Sequence, residues 1–275
     1  MGRKTIYEIL SNMNFDVYNE SKTLMHLFKN EKEWYNGHYS ESLMQYIDNN
    51  FFREMTIRGT YINIETMMTD LGILYSSSNL DTLFTLCEFF LHIFSYHKLF
   101  SKRAIEQVNV ILQNIYLIMD KTNHVIHKIG DKQFVIVKKN MASIETAEIV
   151  TDEHISNEIM RYNHFAIKGD LEEKRQILNN ISQYVEPILK SRKLGQAGYK
   201  EIESNMGFLL NNLHIRHNNK EGAKAQEYTV NLKNSELEDW YNKIYDLSLI
   251  VIMLNEHLSV QDEIKSLKNN YNWKT

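Results

Sequence analysis

Apolar residues recur at spacings of three and four along most of this chain, the signature of helices that bury one face. Ile6, Ile9, Leu10 and Met13 share a face, and Ser21 to Lys29 repeats the pattern with Leu24, Leu27 and Phe28. A further helix is expected to open at Ser40-Glu-Ser-Leu43, with Leu43, Met44, Tyr46, Ile47, Phe51 and Phe52 as its apolar side. The pattern weakens between Arg58 and Tyr75, and Ser76-Ser-Ser-Asn79 is a break. Asp81 is expected to cap the next helix, which runs to about Phe100, and Ser101 opens another with Ile105, Val108, Ile111, Leu112, Ile115 and Ile118 inward.

The period changes once. His124-Val-Ile-His-Lys-Ile129, Gly130-Asp131 and Lys132-Gln-Phe-Val-Ile-Val-Lys138 read as a β-hairpin: β-branched strands around a loop that begins with glycine, as a type II′ turn prefers. His124 and His127 fall on opposite faces of the first strand, so they cannot share a metal there.

From Asp152 onward four helices are expected. The first runs from Asp152 to Phe165, with Ile155, Ile159 and Tyr162 inward. The second is capped by Asp170, carries Ile177, Leu178, Ile181, Tyr184 and Leu189, and is kinked by Pro187 near its end. After the loop Leu194-Gly-Gln-Ala-Gly-Tyr199, the third spans Lys200 to about Arg216, with Gly222 as its stop. The fourth starts with a Ser235/Glu238 capping box and carries Leu237, Trp240, Tyr241, Ile244, Leu247, Val251, Leu254 and Leu258. Around Leu247 to Leu254 it is apolar nearly all round, which suits the central helix of a bundle or a helix whose second face meets another chain.

The fold class is therefore mainly α. An N-terminal helical domain, residues 1–145, ends in one small β-hairpin at about 123–138, and a C-terminal four-helix bundle fills 150–275. The boundary falls near residues 139 to 151. One proline and ten glycines in 275 residues agree with long helices and few tight turns.

Composition narrows the partners. With 43% hydrophobic and 24% charged residues the chain is of the soluble globular class. A net charge of −4 argues against bulk nucleic-acid binding, so any contact with RNA must be local. The single cysteine, Cys87, excludes an internal disulfide, fits a reducing cytoplasm and lies in an apolar run as a buried thiol would. No signal peptide or myristoylation signal opens the chain. The run from Leu83 to Phe100 carries Glu88, His92, His97 and Lys98, and Leu247 to Leu254 is short, so no membrane span is expected.

Candidate chemistry concentrates at one place, where the third helix delivers His214, Arg216, His217, Asn218, Asn219 and Lys220. A guanidinium fork suits phosphate, and imidazole trades protons near neutrality. Basic residues at a helix C-terminus also simply complement its dipole. Lys190, Arg192, Lys193 and Lys200 lie in or near the loop before that helix. Elsewhere Glu88 and His92, one turn apart, could be half of a di-metal site or a hydrogen-bonded pair. Arg161 and His164 share a face and offer a second phosphate contact or an ordinary surface pair. No glycine-rich phosphate loop, zinc cysteine pair or His-Glu-x-x-His occurs, so no metal or other cofactor is expected.

On the bundle pattern, Leu209 to Asn219, and the tail Leu237-Glu-Asp-Trp-Tyr-Asn-Lys-Ile-Tyr-Asp246, residues 150 to 260 resemble the HEPN superfamily. These are four-helix bundles common among bacterial abortive-infection and toxin proteins, many of them metal-independent ribonucleases. Its members place an Arg, a polar residue and then a His four to six positions after the Arg, at the end of the third helix. Arg216 and His217 match the first two; the downstream His is absent, for Lys220, Glu221 and Gly222 follow and the next His is His257.

The resemblance implies an endoribonuclease effector of phage defence, cytoplasmic and without membrane attachment. Arg216 and His217 are then catalytic, with His214, Asn218, Asn219 and Lys220 binding substrate. It also implies a homodimer through the C-terminal bundle, RNA as substrate, and an antitoxin or phage-derived trigger as regulator. The alternative is a non-catalytic dimerisation or binding module of a defence or toxin–antitoxin system, with Arg216 and His217 buried against Glu238 or Asp239. A helical protein with no RNA role is a third reading.

Overall fold

A computed structural model describes residues 15–35, 39–130, 133–217 and 231–271. It is mainly helical and divides into two compact units, Met1–Ile136 and Val137–Thr275. The apolar pattern before residue 15 lies outside the described residues.

In the first unit α1 (Val17–Lys29) is capped by Asp16, whose carboxylate accepts from Asn19 N at 3.0 Å. A two-stranded antiparallel ladder that the residue pattern did not announce follows, β1 (Glu31–Tyr35) and β2 (Tyr39–Ser42). Ser42 ends β2 and caps α2 (Leu43–Asn50): its hydroxyl accepts from Gln45 N while Gln45 Oε1 accepts from Ser42 N. Short turns and α3 (Ile64–Asp70) occupy the stretch of weak pattern. The cap of α4 (Leu80–Phe94) is Asn79, not Asp81, because the Asn79 side chain reaches the amides of both Asp81 and Thr82. Ser101 caps α5 (Lys102–Thr122) as expected. Leu24, Phe28, Phe84, Cys87 and Phe90 are buried together in this unit's interior, with the Phe28 and Phe90 rings edge to face at 4.9 Å.

The hairpin is present as β3 (His124–Ile129) and β4 (Gln133–Lys138), with Gly130 at φ +62°. Such a φ favours glycine. Glu88 and His92 explain themselves against it. Glu88 Oε1 accepts from Ile136 N at 2.6 Å and His92 Nε2 accepts from Phe134 N at 3.1 Å. Amides two apart on a strand point the same way, and side chains one helical turn apart share a face, so the pair closes a strand edge. His124 packs its ring on Phe84 at 4.4 Å, a structural role.

The division falls within β4. In the second unit Val137 bridges His164 and Lys138 N donates to Asn163 O. Next come α6 (Met141–Ile149), an addition to the four expected helices, and α7 (Glu153–Arg161), capped by Asp152. The helix stops at Arg161 rather than Phe165 because Asn163 and His164 are drawn into extended pairing with β4. Asp170 caps α8 (Leu171–Lys190), which continues through Pro187. The expected glycine loop holds a short helix, α9 (Lys193–Gln196), before α10 (Lys200–Asn212). Last is α11 (Asn234–Asn270), 37 residues and about 55 Å long.

The Ser235/Glu238 capping box does not form. Helix α11 begins a residue earlier, with Glu236 Oε2 accepting from Lys233 N, and Glu238 turns instead to Gly169 N at 2.8 Å and Lys174 Nζ at 2.9 Å. The α11 stripe buries Leu237, Tyr241, Ile244 and Val251, and also Tyr245, Leu249 and Ile252, so two faces are covered and the helix is the unit's centre. The Tyr245 hydroxyl lies 2.7 Å from Ile159 O and 2.8 Å from both Ser143 Oγ and Asn163 Nδ2, tying α6, α7 and α11 together. Its ring stacks on Tyr162 at 4.1 Å.

Candidate functional site

The third bundle helix ends at Asn212, four residues before the expected Arg216, and the reason is legible in burial. Leu213 and Ile215 are both fully buried. Residues two apart lie on opposite sides of a helix, so one helical face cannot bury both. The chain therefore bends. Asn212 Nδ2 takes the Phe208 carbonyl at 2.8 Å, His214 adopts a left-handed φ of +62°, and Arg216 N reaches back to Leu210 O at 3.3 Å. His214 Nδ1 donates to the His217 carbonyl at 3.1 Å and so closes the turn. Arg216 and His217 thus sit in a bent segment beyond the helix, not in its last turn.

Arg216 turns inward and His217 stays exposed. The Arg216 side chain is 19% exposed; Nη1 donates to Asn211 Oδ1 at 3.1 Å and Nη2 lies 2.9 Å from Glu186 Oε2 on α8. That second contact is an ion pair without the alignment of a hydrogen bond, and among the described residues Nη2 has no hydrogen-bond partner. The guanidinium is not packed against Glu238 or Asp239. Asn218, Asn219 and Lys220 lie outside the described residues.

Arg216 lines a cleft of about 390 Å³ between α8 and α10, together with Glu186, Lys190, Arg192, Lys200 and Glu203. Ser204, Gly207 and Asn211 continue the α10 wall, at helical spacing from Lys200. Four cations and two carboxylates give the cleft a formal charge of +2, against −4 for the whole chain. Glu186 Oε1 also holds Lys190 Nζ at 2.8 Å. The Lys190 hydrogen bond, and then the Arg216 charge, hold the Glu186 carboxyl below the usual carboxylate range. At the cleft's other carboxylate, Glu203 accepts from Gly195 N at 2.9 Å and pairs with Arg192 at 3.3 Å. Arg192, which lines the cleft, has a left-handed backbone at φ +58°. Non-glycine residues rarely adopt that region, and such strain gathers at functional sites.

Of the residues singled out in the sequence, the fold gathers Arg216, Lys190, Arg192 and Lys200 into one cleft, and places His217 on the surface beside Arg216. His214 acts as a strut of the turn. Glu186, Glu203 and Asn211 were not singled out; an i, i+4 Glu186–Lys190 pair was the one local signal for Glu186. Arg161 is committed elsewhere, to Glu158 at 2.8 Å and to Glu173, while His164 Nδ1 accepts from Ala166 N in its own loop. Among the described residues no group of three His, Cys, Asp or Glu is placed to hold a metal, and no helix is long and apolar enough to cross a membrane. Cys87 is fully buried and burial pushes its thiol pKa up, so it is no nucleophile.

No protein-family model matches the chain, and neither a curated protein nor a solved structure does. The site's own geometry is what bears on function.

Proposed function

We propose that the cleft binds the phosphate backbone of RNA, and that the protein is a HEPN-like, metal-independent endoribonuclease acting as a toxin or abortive-infection effector. The observation that supports this is the convergence of Arg216, Lys190, Arg192 and Lys200 on one cleft in a chain of net negative charge. In this mechanism Arg216 holds a phosphodiester and stabilises the charge that grows on its oxygens. His217 accepts the proton of the adjacent 2′-hydroxyl as its oxygen attacks phosphorus. The bond to the 5′-oxygen breaks, that oxygen takes a proton from water, and a cyclic phosphate remains.

Wild type, Arg216→Ala and His217→Ala, expressed side by side in bacteria, test it through growth arrest and RNA integrity. Each variant is expected to lose about 10²-fold or more in cleavage rate while keeping a wild-type helical circular dichroism spectrum. Cleavage by Arg216→Ala at the wild-type rate overturns the assignment.

The second reading is a non-catalytic helical dimerisation or binding module. It is favoured by the apolar stripe that α11 leaves exposed, Ile250, Val260, Ile264 and Leu267. Equal toxicity of wild type and Arg216→Ala supports it.

A further inference from the structure

Two of the cleft's cations already share an anion. The Glu186 carboxylate places one oxygen 2.8 Å from Lys190 Nζ and the other 2.9 Å from Arg216 Nη2. Two oxygens of one phosphate group can make the same pair of contacts. We infer that Lys190 and Arg216 form a two-point oxyanion fork, and that Glu186 is its built-in occupant, displaced when a ligand phosphate enters.

Three features carry this. Exchange of a carboxylate for a phosphodiester conserves charge, one negative group for another, so the fork's cations are never left uncompensated. Arg216 keeps its Asn211 contact at 3.1 Å when Glu186 leaves, and its buried Nη2, which makes no hydrogen bond among the described residues, has a donor to offer an incoming oxygen. Glu186 itself is 34% exposed and can swing outward at the cleft rim. Glu203 makes the contrast. It is 7% exposed and accepts the Gly195 amide at 2.9 Å, and a Cβ at Gly195 would stand only 3.2 Å from its carboxylate. Glu203 is locked as part of the wall, whereas Glu186 is a movable stopper. Because Lys190 and Arg216 keep the Glu186 carboxyl charged, near neutral pH it leaves by displacement rather than by protonation.

The inference rests on the phosphate-cleft reading, and the test separates the two. The probe is a fluorescently labelled single-stranded DNA oligonucleotide, which carries phosphodiesters but no 2′-hydroxyl, so binding is read without cleavage. Full-length wild type, Glu186→Gln, Glu186→Ala and Arg216→Ala are compared with Glu172→Gln. Glu172 lies on the same helix, is paired with Arg175 and lies outside the cleft, so this last variant controls for net charge.

Both Glu186 variants are expected to bind about two- to tenfold tighter than wild type and Glu172→Gln, the size of a partly exposed charge pair. Arg216→Ala binds more weakly. Affinity of both Glu186 variants at or below wild type, with an unchanged melting profile, overturns the inference and makes Glu186 a support for Arg216. Tighter Glu186 variants together with wild-type RNA cleavage by Arg216→Ala leave the fork standing and remove the ribonuclease.

Discussion

At Gly207 one residue separates the cleft's shape from the helix that builds it. A Cβ there meets nothing within 4 Å, and the backbone is helical. Gly207→Ala is expected to stabilise the protein by about 0.5–1 kcal/mol, because alanine loses less backbone freedom than glycine on entering a helix. Chemical denaturation measures this. Gly207→Leu should instead fill the cleft and weaken oligonucleotide binding at least tenfold without unfolding α10. At this scale much was legible. The bases of the cleft stood out as Lys190, Arg192, Lys200 and Arg216, since charge type is a property of the residue. Glu186 did not, because its meeting with Arg216 spans 30 positions and depends on how α8 lies against the turn after α10.

Elements show where local pattern loses to contacts between segments. Glu88 and His92 were open to two readings because Glu-x-x-x-His on an apolar helix serves a metal or a strand edge equally well. The neighbour decides, and here the neighbour is β4. His92 Nδ1 donates to the Glu88 carbonyl at 2.7 Å, which leaves Nε2 to accept from Phe134 N. Ile136 is fully buried, so Glu88→Ala leaves its amide without an acceptor. That should cost about 1–3 kcal/mol in urea denaturation. Glu88→Gln keeps an acceptor oxygen and should lose markedly less. The same logic explains α10: the alternation of Leu213 and Ile215 within a helical pattern is what ends the helix at Asn212.

At the scale of the molecule, the second unit is organised around phenols buried along α11. Tyr241 is pushed up to about 12 chiefly by burial, and burial drives Tyr162 and Tyr245 further in the same direction. The sign follows directly. An unfolded phenol ionises near pH 10, so above that pH the unfolded chain holds fewer protons than the folded one and stability falls as pH rises. The contribution is complete below about pH 10 and is lost as pH rises through about 12. In an alkaline titration the tyrosinate absorbance of these three residues should appear together with loss of helical circular dichroism. Tyr245→Phe should shift the midpoint, since it breaks contacts to Ile159, Ser143 and Asn163.

The sequence by itself determined the class of fold, the hairpin with its glycine turn, the helix starts at Ser101, Asp152, Asp170 and Lys200, and the cationic character of the segment around Arg216. Each of these depends on neighbours within a few positions: a period, a cap, a left-handed φ or a charge. Tertiary structure alone decided that the helix stops before Arg216, that Glu88 and His92 close a strand edge, and that Arg216 faces a cleft shared with Lys190 under the hand of Glu186. Those outcomes turn on which distant groups compete for the same donor or the same buried space. Where the residue pattern predicts a helix running to Arg216, the helix ends at Asn212 and the bend carries Arg216.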